Sequence, residues 1–187
     1  AYDFLKSHSA VDSVEFAVRM MEDNTLFNAG TGAMMQSDGI QRMDACIIDG
    51  YRNKGGAVAQ ISGVKNPIEV ARMVMEKTQH CLIVGEEAQK FAYLNGIGRY
   101  VTVTKESIER WLKIKEDTHY GTVGAVAIDM DGKIAAGIST GGWATSLPGR
   151  VGDVPIIGGG TYANEQVGVS CTGHGEKISK AILAGAV

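Results

Sequence analysis

No stretch of the sequence stays apolar over the ~20 residues that a membrane-spanning helix requires, and the opening AYDFLKSHSA has neither the charged region nor the apolar run of a secretory leader. A basic stripe is also missing. The 18 Lys and Arg are interspersed with 21 Asp and Glu, giving a formal charge of -3, so a nucleic-acid backbone meets no continuous positive surface. These absences predict a cytoplasmic protein with neither membrane nor nucleic-acid partners. Cysteine is scarce. Cys46, Cys81 and Cys171 are too far apart for metal-ligand spacing and too few for an even-numbered disulfide framework, which predicts buried free thiols in a reducing compartment. Several short motifs are begun and not finished. The glycines at 158, 159 and 160 are not followed by the Lys-Ser/Thr of a phosphate loop, and Gly173 with Gly175 does not complete a dinucleotide fingerprint. Asp129, Asp131 and Gly132 start a calcium loop that lacks its remaining ligands; a hairpin turn explains them.

What is present suits one globular domain over residues 1–187, with 44% hydrophobic residues to fill a single core. Ser9 can cap a helix running to Glu22, since Val11, Val14, Ala17, Val18 and Met21 recur at helical spacing. Asn66, Pro67 and Glu69 supply an N-cap, an N1 proline and a capping-box acid for a second helix, and a third fits Glu86 to Leu94. GGAVAQIS (55–62) reads as a small-residue strand lying close under a helix. TVGAVAI (122–128) and KIAAGIS (133–139) form a hairpin through Asp131 and Gly132, and QVGVSCT (166–172) gives a further strand. Residues 103–119 are highly charged, with Ile108, Trp111 and Leu112 making a weak amphipathic helix. Helices therefore gather in the first half and strands in the second, as in a layered α+β protein.

The chemistry concentrates after residue 120. GTVGAVAID is followed by STGGW, LPGRVGDVPIIGGGTYAN and VSCTGHGE, a succession of glycines with Thr140, Arg150, Asp153 and Thr172 set between them. With EDNTLFNAGTGAMMQSDGIQRMDACIIDG and NPIEVARMVMEKTQHCLIVGEEAQKFA upstream, these blocks resemble the plant-type asparaginase and isoaspartyl peptidase family, threonine-dependent N-terminal-nucleophile hydrolases. The resemblance covers nearly the whole chain and implies a four-layer αββα sandwich. It implies that the Gly121–Thr122 bond is cut by the chain itself, giving subunits 1–121 and 122–187 and freeing Thr122 as the nucleophile. A threonine hydroxyl needs a base, and a freed α-amino group with a pKa near ~8 supplies one. Thr140 then matches the second threonine that steadies the nucleophile. Arg150 matches the carboxylate anchor, Asp153 the receiver of the α-ammonium, Thr172 and Gly173 the oxyanion hole, and Gly175 a contact to the amino-acid head. Asn28 matches an asparagine that fastens the preceding loop. His174, between the oxyanion residues and Gly175, is read as structural because the mechanism already has its base.

The same resemblance implies a structural sodium ion held by backbone carbonyls of Met21, Glu22, Asn24, Phe27, Ala29 and Thr31, with no cofactor needed for the chemistry. It implies L-asparagine and β-aspartyl dipeptides as substrates, L-aspartate as product, and an (αβ)2 homodimer. Glycosylasparaginase is a relative, but it carries an ATGNG-like stretch where this sequence reads CTGHG. A glycosylasparaginase-like hydrolase stays open as an alternative, as does an uncleaved precursor or inactive fragment serving only as a structural or binding module. Whole family members begin with a strand bearing an HGGAG-like motif and continue beyond the CTGHGE block. The resemblance therefore implies a sandwich short of terminal elements, with unpaired strand edges and exposed apolar faces.

Overall fold

A computed structural model describes residues 1–101, 103–113 and 121–187. After the short helix α1 (Tyr2–Leu5), α2 runs over Ala10–Glu22, and Ser9 caps it by accepting the Asp12 N–H at 3.2 Å. Strands β1 (Met43–Asp49) and β2 (Lys54–Ile61) pair antiparallel, followed by α3 (Pro67–Lys77), β3 (Leu82–Val84) and α4 (Gly85–Leu94). Helix α5 (Lys105–Lys113) lies within the charged stretch; residues 114–119 of that stretch fall outside the described residues. Then come β4 (Val123–Ile128), β5 (Ile134–Thr140), β6 (Thr161–Ala163), β7 (Gly168–Ser170) and α6 (Gly175–Ala181).

Five strands form one sheet in the order β3-β2-β1-β5-β4, and β6 with β7 forms a second. Alternation along β1 sends Ala45 and Ile47 toward a core shared with Val14 and Val18 of α2, Ile68 and Val74 of α3, and Ala88 and Ala92 of α4. Cys46 and Ile48 point the other way and pack with Ala136, Ile138, Val154 and Ala163 against the second sheet. The layers thus run helix, sheet, sheet in an α+β sandwich. The 3-10 turn Leu183–Gly185 after α6 contacts β6.

The β4–β5 hairpin turns through Asp129 to Lys133 as predicted, with Gly132 at φ +77° and the Asp129 N–H bonded to the Lys133 carbonyl at 3.0 Å. Gly56 explains why β2 needed small residues: a Cβ there would strike the Ala71 carbonyl and Met75 N of α3.

Three expectations need correction. Strands are not confined to the second half, because β1 and β2 sit at the middle of the larger sheet. Asn66 occupies the N-cap position of α3, but its side chain donates to Asp23 Oδ1 at 3.0 Å; the Ile68 N–H is accepted by Glu22 Oε1 at 3.1 Å, and Glu69 pairs with Arg19 in place of a capping box. A buried carboxylate from α2 thus replaces the local cap. Of the thiols only Cys46 is buried, whereas Cys81 is exposed and Cys171 half-buried.

Candidate active site

The start of β4 and the end of β5 lie side by side, with Val123 opposite Ser139, so Thr122 and Thr140 meet where the two strands fray. Thr122 Oγ1 donates to Thr140 Oγ1 at 3.4 Å. Thr140 Oγ1 in turn donates to the Gly121 carbonyl at 2.8 Å and accepts the Gly142 N–H at 3.0 Å. A second donor reaches the same carbonyl: Asn28 Nδ2 lies 3.0 Å from Gly121 O and 2.7 Å from Gly142 O. Asn28 is itself fixed, since its Oδ1 accepts the Met34 N–H at 2.8 Å and its carbonyl the Gly141 N–H at 2.9 Å. The carbonyl carbon next to the Thr122 nitrogen is thereby polarised by a hydroxyl and an amide N–H, the two-donor arrangement that stabilises an oxyanion.

A narrow pocket opens from these residues along Gly142, Trp143, Arg150, Gly152, Asp153 and Gly173. Glu176 Oε1 lies 2.9 Å from both Nε and Nη2 of Arg150, and the guanidinium centre lies 4.5 Å over the Trp143 ring. The carboxylate takes one edge of the fork and the indole one face, leaving the Nη1 edge toward the pocket. Arg150 Nη2 is buried and, although within ion-pair distance of Glu176, makes no well-directed hydrogen bond; Asp153 Oδ2 is buried without a partner. Burial pushes the Asp153 carboxyl above its ordinary value. Both groups are desolvated and short of partners, which is costly unless something of complementary charge arrives.

Gly173, at φ +137°, lines this pocket, while Thr172 beside it is exposed at the surface. Gly175 is buried between the two charged groups. His174 stands edge-on to Trp143 at 5.1 Å with Nδ1 3.4 Å from Glu176 Oε2, a packing position consistent with a structural role.

A sequence profile of the asparaginase family matches residues 1–119 and 112–187, two matches that overlap over 112–119 and together cover the chain. The chain is 50% identical over 201 residues to a plant-type L-asparaginase of Pyrococcus horikoshii, covering 96% of this chain and 66% of that protein. It is 49% identical over 202 residues to a plant-type L-asparaginase of Thermococcus kodakarensis, with the same coverages. An isoaspartyl peptidase of Escherichia coli is 44% identical over 195 residues, covering 94% of this chain and 61% of the peptidase. The chain belongs to the asparaginase family. It spans a little under two thirds of the length of these relatives.

In this asparaginase-family chain the structure brings Gly121, Thr122, Thr140 and Asn28 into one hydrogen-bonded group, and gathers Arg150, Asp153, Gly173 and Gly175 around the adjoining pocket. Thr172 stands apart from the hydrogen-bonded group. The loop from Met21 to Thr31 runs at the end of α2. Carbonyls of Asn24 and Ala29 each accept one N–H, from Phe27 and Gly32 at 3.2 Å, which leaves each a second lone pair, while that of Met21 accepts from both Asp23 and Asn24. A Cβ at Gly30 would strike the Glu22 carbonyl and one at Gly32 the Phe27 and Thr25 carbonyls, so only glycine lets the chain pass this close to those oxygens. Thr31 Oγ1 is buried without a partner there. Backbone carbonyl oxygens gathered in one turn are the donor type that a hard monovalent cation takes. Among the described residues no group of His, Cys, Asp or Glu is placed to hold a metal ion.

Three residues of the site escaped the sequence reading. Trp143 and Glu176 orient the guanidinium of Arg150, and Gly142 contributes both its N–H and its carbonyl to the threonine–asparagine group. The motifs STGGW and CTGHGE contain all three, but nothing in their spacing says that Trp143 and Glu176 converge on position 150 or that the Gly142 backbone joins the threonine–asparagine group.

Proposed function

We propose that the chain is an autoprocessing amidohydrolase that acts on L-asparagine and β-aspartyl dipeptides through an acyl-enzyme on Thr122. The observation that carries the reading is the Gly121 carbonyl, held by Thr140 and Asn28 beside the Thr122 hydroxyl, at the mouth of a pocket with an under-satisfied Arg150 and Asp153. That geometry supports self-cleavage. Thr122 Oγ adds to the Gly121 carbonyl carbon as it gives up its proton, the negative oxygen is stabilised by the two donors, and the C–N bond breaks with that proton passing to the departing nitrogen, giving an ester and a free Thr122 amine. Water then hydrolyses the ester, leaving chains 1–121 and 122–187.

The freed amine, with a pKa near ~8, takes the proton of the Thr122 hydroxyl as that oxygen attacks the substrate amide. Ammonia or an amino acid departs with a proton, and a water molecule releases L-aspartate from the ester. Arg150 grips the α-carboxylate with its free edge, Asp153 receives the α-ammonium, and Gly173 with Thr172 supports the developing oxyanion. The leaving group meets none of these residues, which is why amide and β-peptide are both substrates. Backbone carbonyls of Met21, Glu22, Asn24, Phe27, Ala29 and Thr31 would hold a sodium ion, which would stiffen the loop carrying Asn28 and take no part in bond making. The family resemblance supports an (αβ)2 dimer. Three free thiols and the lack of a membrane-crossing helix among the described residues suit a cytoplasmic setting.

Intact mass and N-terminal sequencing after prolonged incubation test the proposal. A fragment beginning at Thr122, together with release of aspartate from asparagine, is the expected result. Thr122→Ala abolishes both, and hydrolysis surviving in that variant removes Thr122 as nucleophile.

A further inference from the structure

Strand β2 departs from regular pairing near its end. Ile61 pairs with Met43 and Val58 with Ala45, so Ala59 and Gln60 together oppose Asp44 in a β-bulge, and Gln60 takes φ +55°. A non-glycine residue in that region is strained and persists where its surroundings over-determine it. Here they do. The buried Asp44 accepts the Gln60 N–H at 2.8 Å, and the bulge turns the Gln60 side chain away from the ladder toward the loop before Asp153. Gln60 Nε2 donates to the Arg150 carbonyl at 2.7 Å, while its Oε1 accepts the Gly149 N–H at 3.0 Å. That amide is braced from behind. Gln36 Nε2 donates to Gln60 Oε1 at 3.1 Å, and Gln36 Oε1 accepts from Arg42 Nη1 at 2.6 Å.

One side chain thus bonds both sides of the backbone at 149 and 150 without lining the pocket into which the guanidinium looks. We infer that Gln60 is a positioning residue for substrate affinity: through its bulge and its clamp on the Gly149–Arg150 backbone it fixes where the Arg150 fork meets the substrate carboxylate. The inference rests on the reading of Arg150 as carboxylate anchor. Glu176 and Trp143 set the angle of the guanidinium, and Gln60 sets the root from which it grows.

Two variants of the full chain test this, with L-asparagine as probe. Gln60→Gly tolerates the positive φ and removes the amide; Gln60→Glu keeps an acceptor for Gly149 but turns a negative oxygen on the Arg150 carbonyl. Losing these hydrogen bonds raises KM about tenfold in each, with kcat within about twofold and self-cleavage at Thr122 at its normal rate. In an Arg150→Lys background Gln60→Gly changes KM by less than about twofold, because the fork it positions is already gone. A normal KM in both Gln60 variants, while Arg150→Lys raises it, overturns the role of Gln60 alone. The full tenfold effect persisting in the Arg150→Lys background overturns it too, since Gln60 would then act by another route. An unchanged KM in Arg150→Lys itself overturns the anchor and this inference together.

Discussion

A methyl group on residue 175 would stand 2.6 Å from Asp153 Oδ1 and 2.9 Å from Arg150 Nη2, distances at which something must move. Asp153 is buried and Arg150 partly so, and Arg150 is held from other directions by Glu176 and Trp143, so the strain falls on the space between the two charges. Gly175→Ala is therefore expected to raise KM for asparagine by about tenfold or more. Cleavage after Gly121 should proceed at its normal rate, because the threonine–asparagine group touches none of these atoms. Steady-state kinetics beside a time course of fragment mass separates the two effects. A variant that loses self-cleavage along with affinity would mean that position 175 shapes the fold of the pocket as a whole. Position 175 was legible in the sequence as a close-approach glycine only through the family motif; spacing alone does not reveal that two charges meet there.

Elements held by local rules were legible and those held by distant partners were not. Helix α2 carries its own cap and apolar stripe, and the β4–β5 hairpin carries its own turn, so both stand where the sequence puts them. Strand β1 is buried at all seven positions, and a strand covered on both faces shows no alternation by which to find it. The cap of α3 was misread for a similar reason: the group that satisfies Ile68 comes from Glu22, 46 residues away, whose burial raises its carboxyl to about 8. The β1–β2 bulge is another feature that long-range pairing creates, and it has a measurable pH signature. Burial raises Asp44 from its ordinary value to about 6, opposed by the Gln60 and Gly152 N–H groups and by the charge of Arg150, and assisted by Asp153. A carboxyl with a raised folded pKa keeps its proton longer in the native state, so stability is fully present below about pH 4 and is lost as pH climbs through 6. Removing the charge removes the loss. Asp44→Asn, whose Oδ1 still accepts the Gln60 N–H, should be flatter than the parent between pH 4 and 7, by on the order of 2 kcal/mol in denaturant titrations. Equal slopes for parent and variant would show that Asp44 ionises as readily in the fold as out of it.

Across the whole molecule the larger sheet ends on β4, whose outer backbone groups have no strand beside them among the described residues. Val126 and Ile128 on that strand are 47% and 59% exposed, and Met130 in the following turn is 85% exposed. An open edge with apolar side chains is a template for another chain, and a formal charge of only -3 over 187 residues offers weak repulsion against it. The same strand begins one residue after Thr122, which places this edge beside the site. The 187-residue chain should therefore associate as concentration rises, and Ile128→Lys should reduce that association by placing a charge where a second edge would dock, at little cost to folding because the position is solvent-facing. Light scattering over a concentration series, with thermal melts as control for the fold, reads both quantities. If Ile128→Lys associates as the parent does with an unchanged melt, contact between copies runs through another surface, and the β4 edge is kept apart by its twist and by β7 packed beneath it.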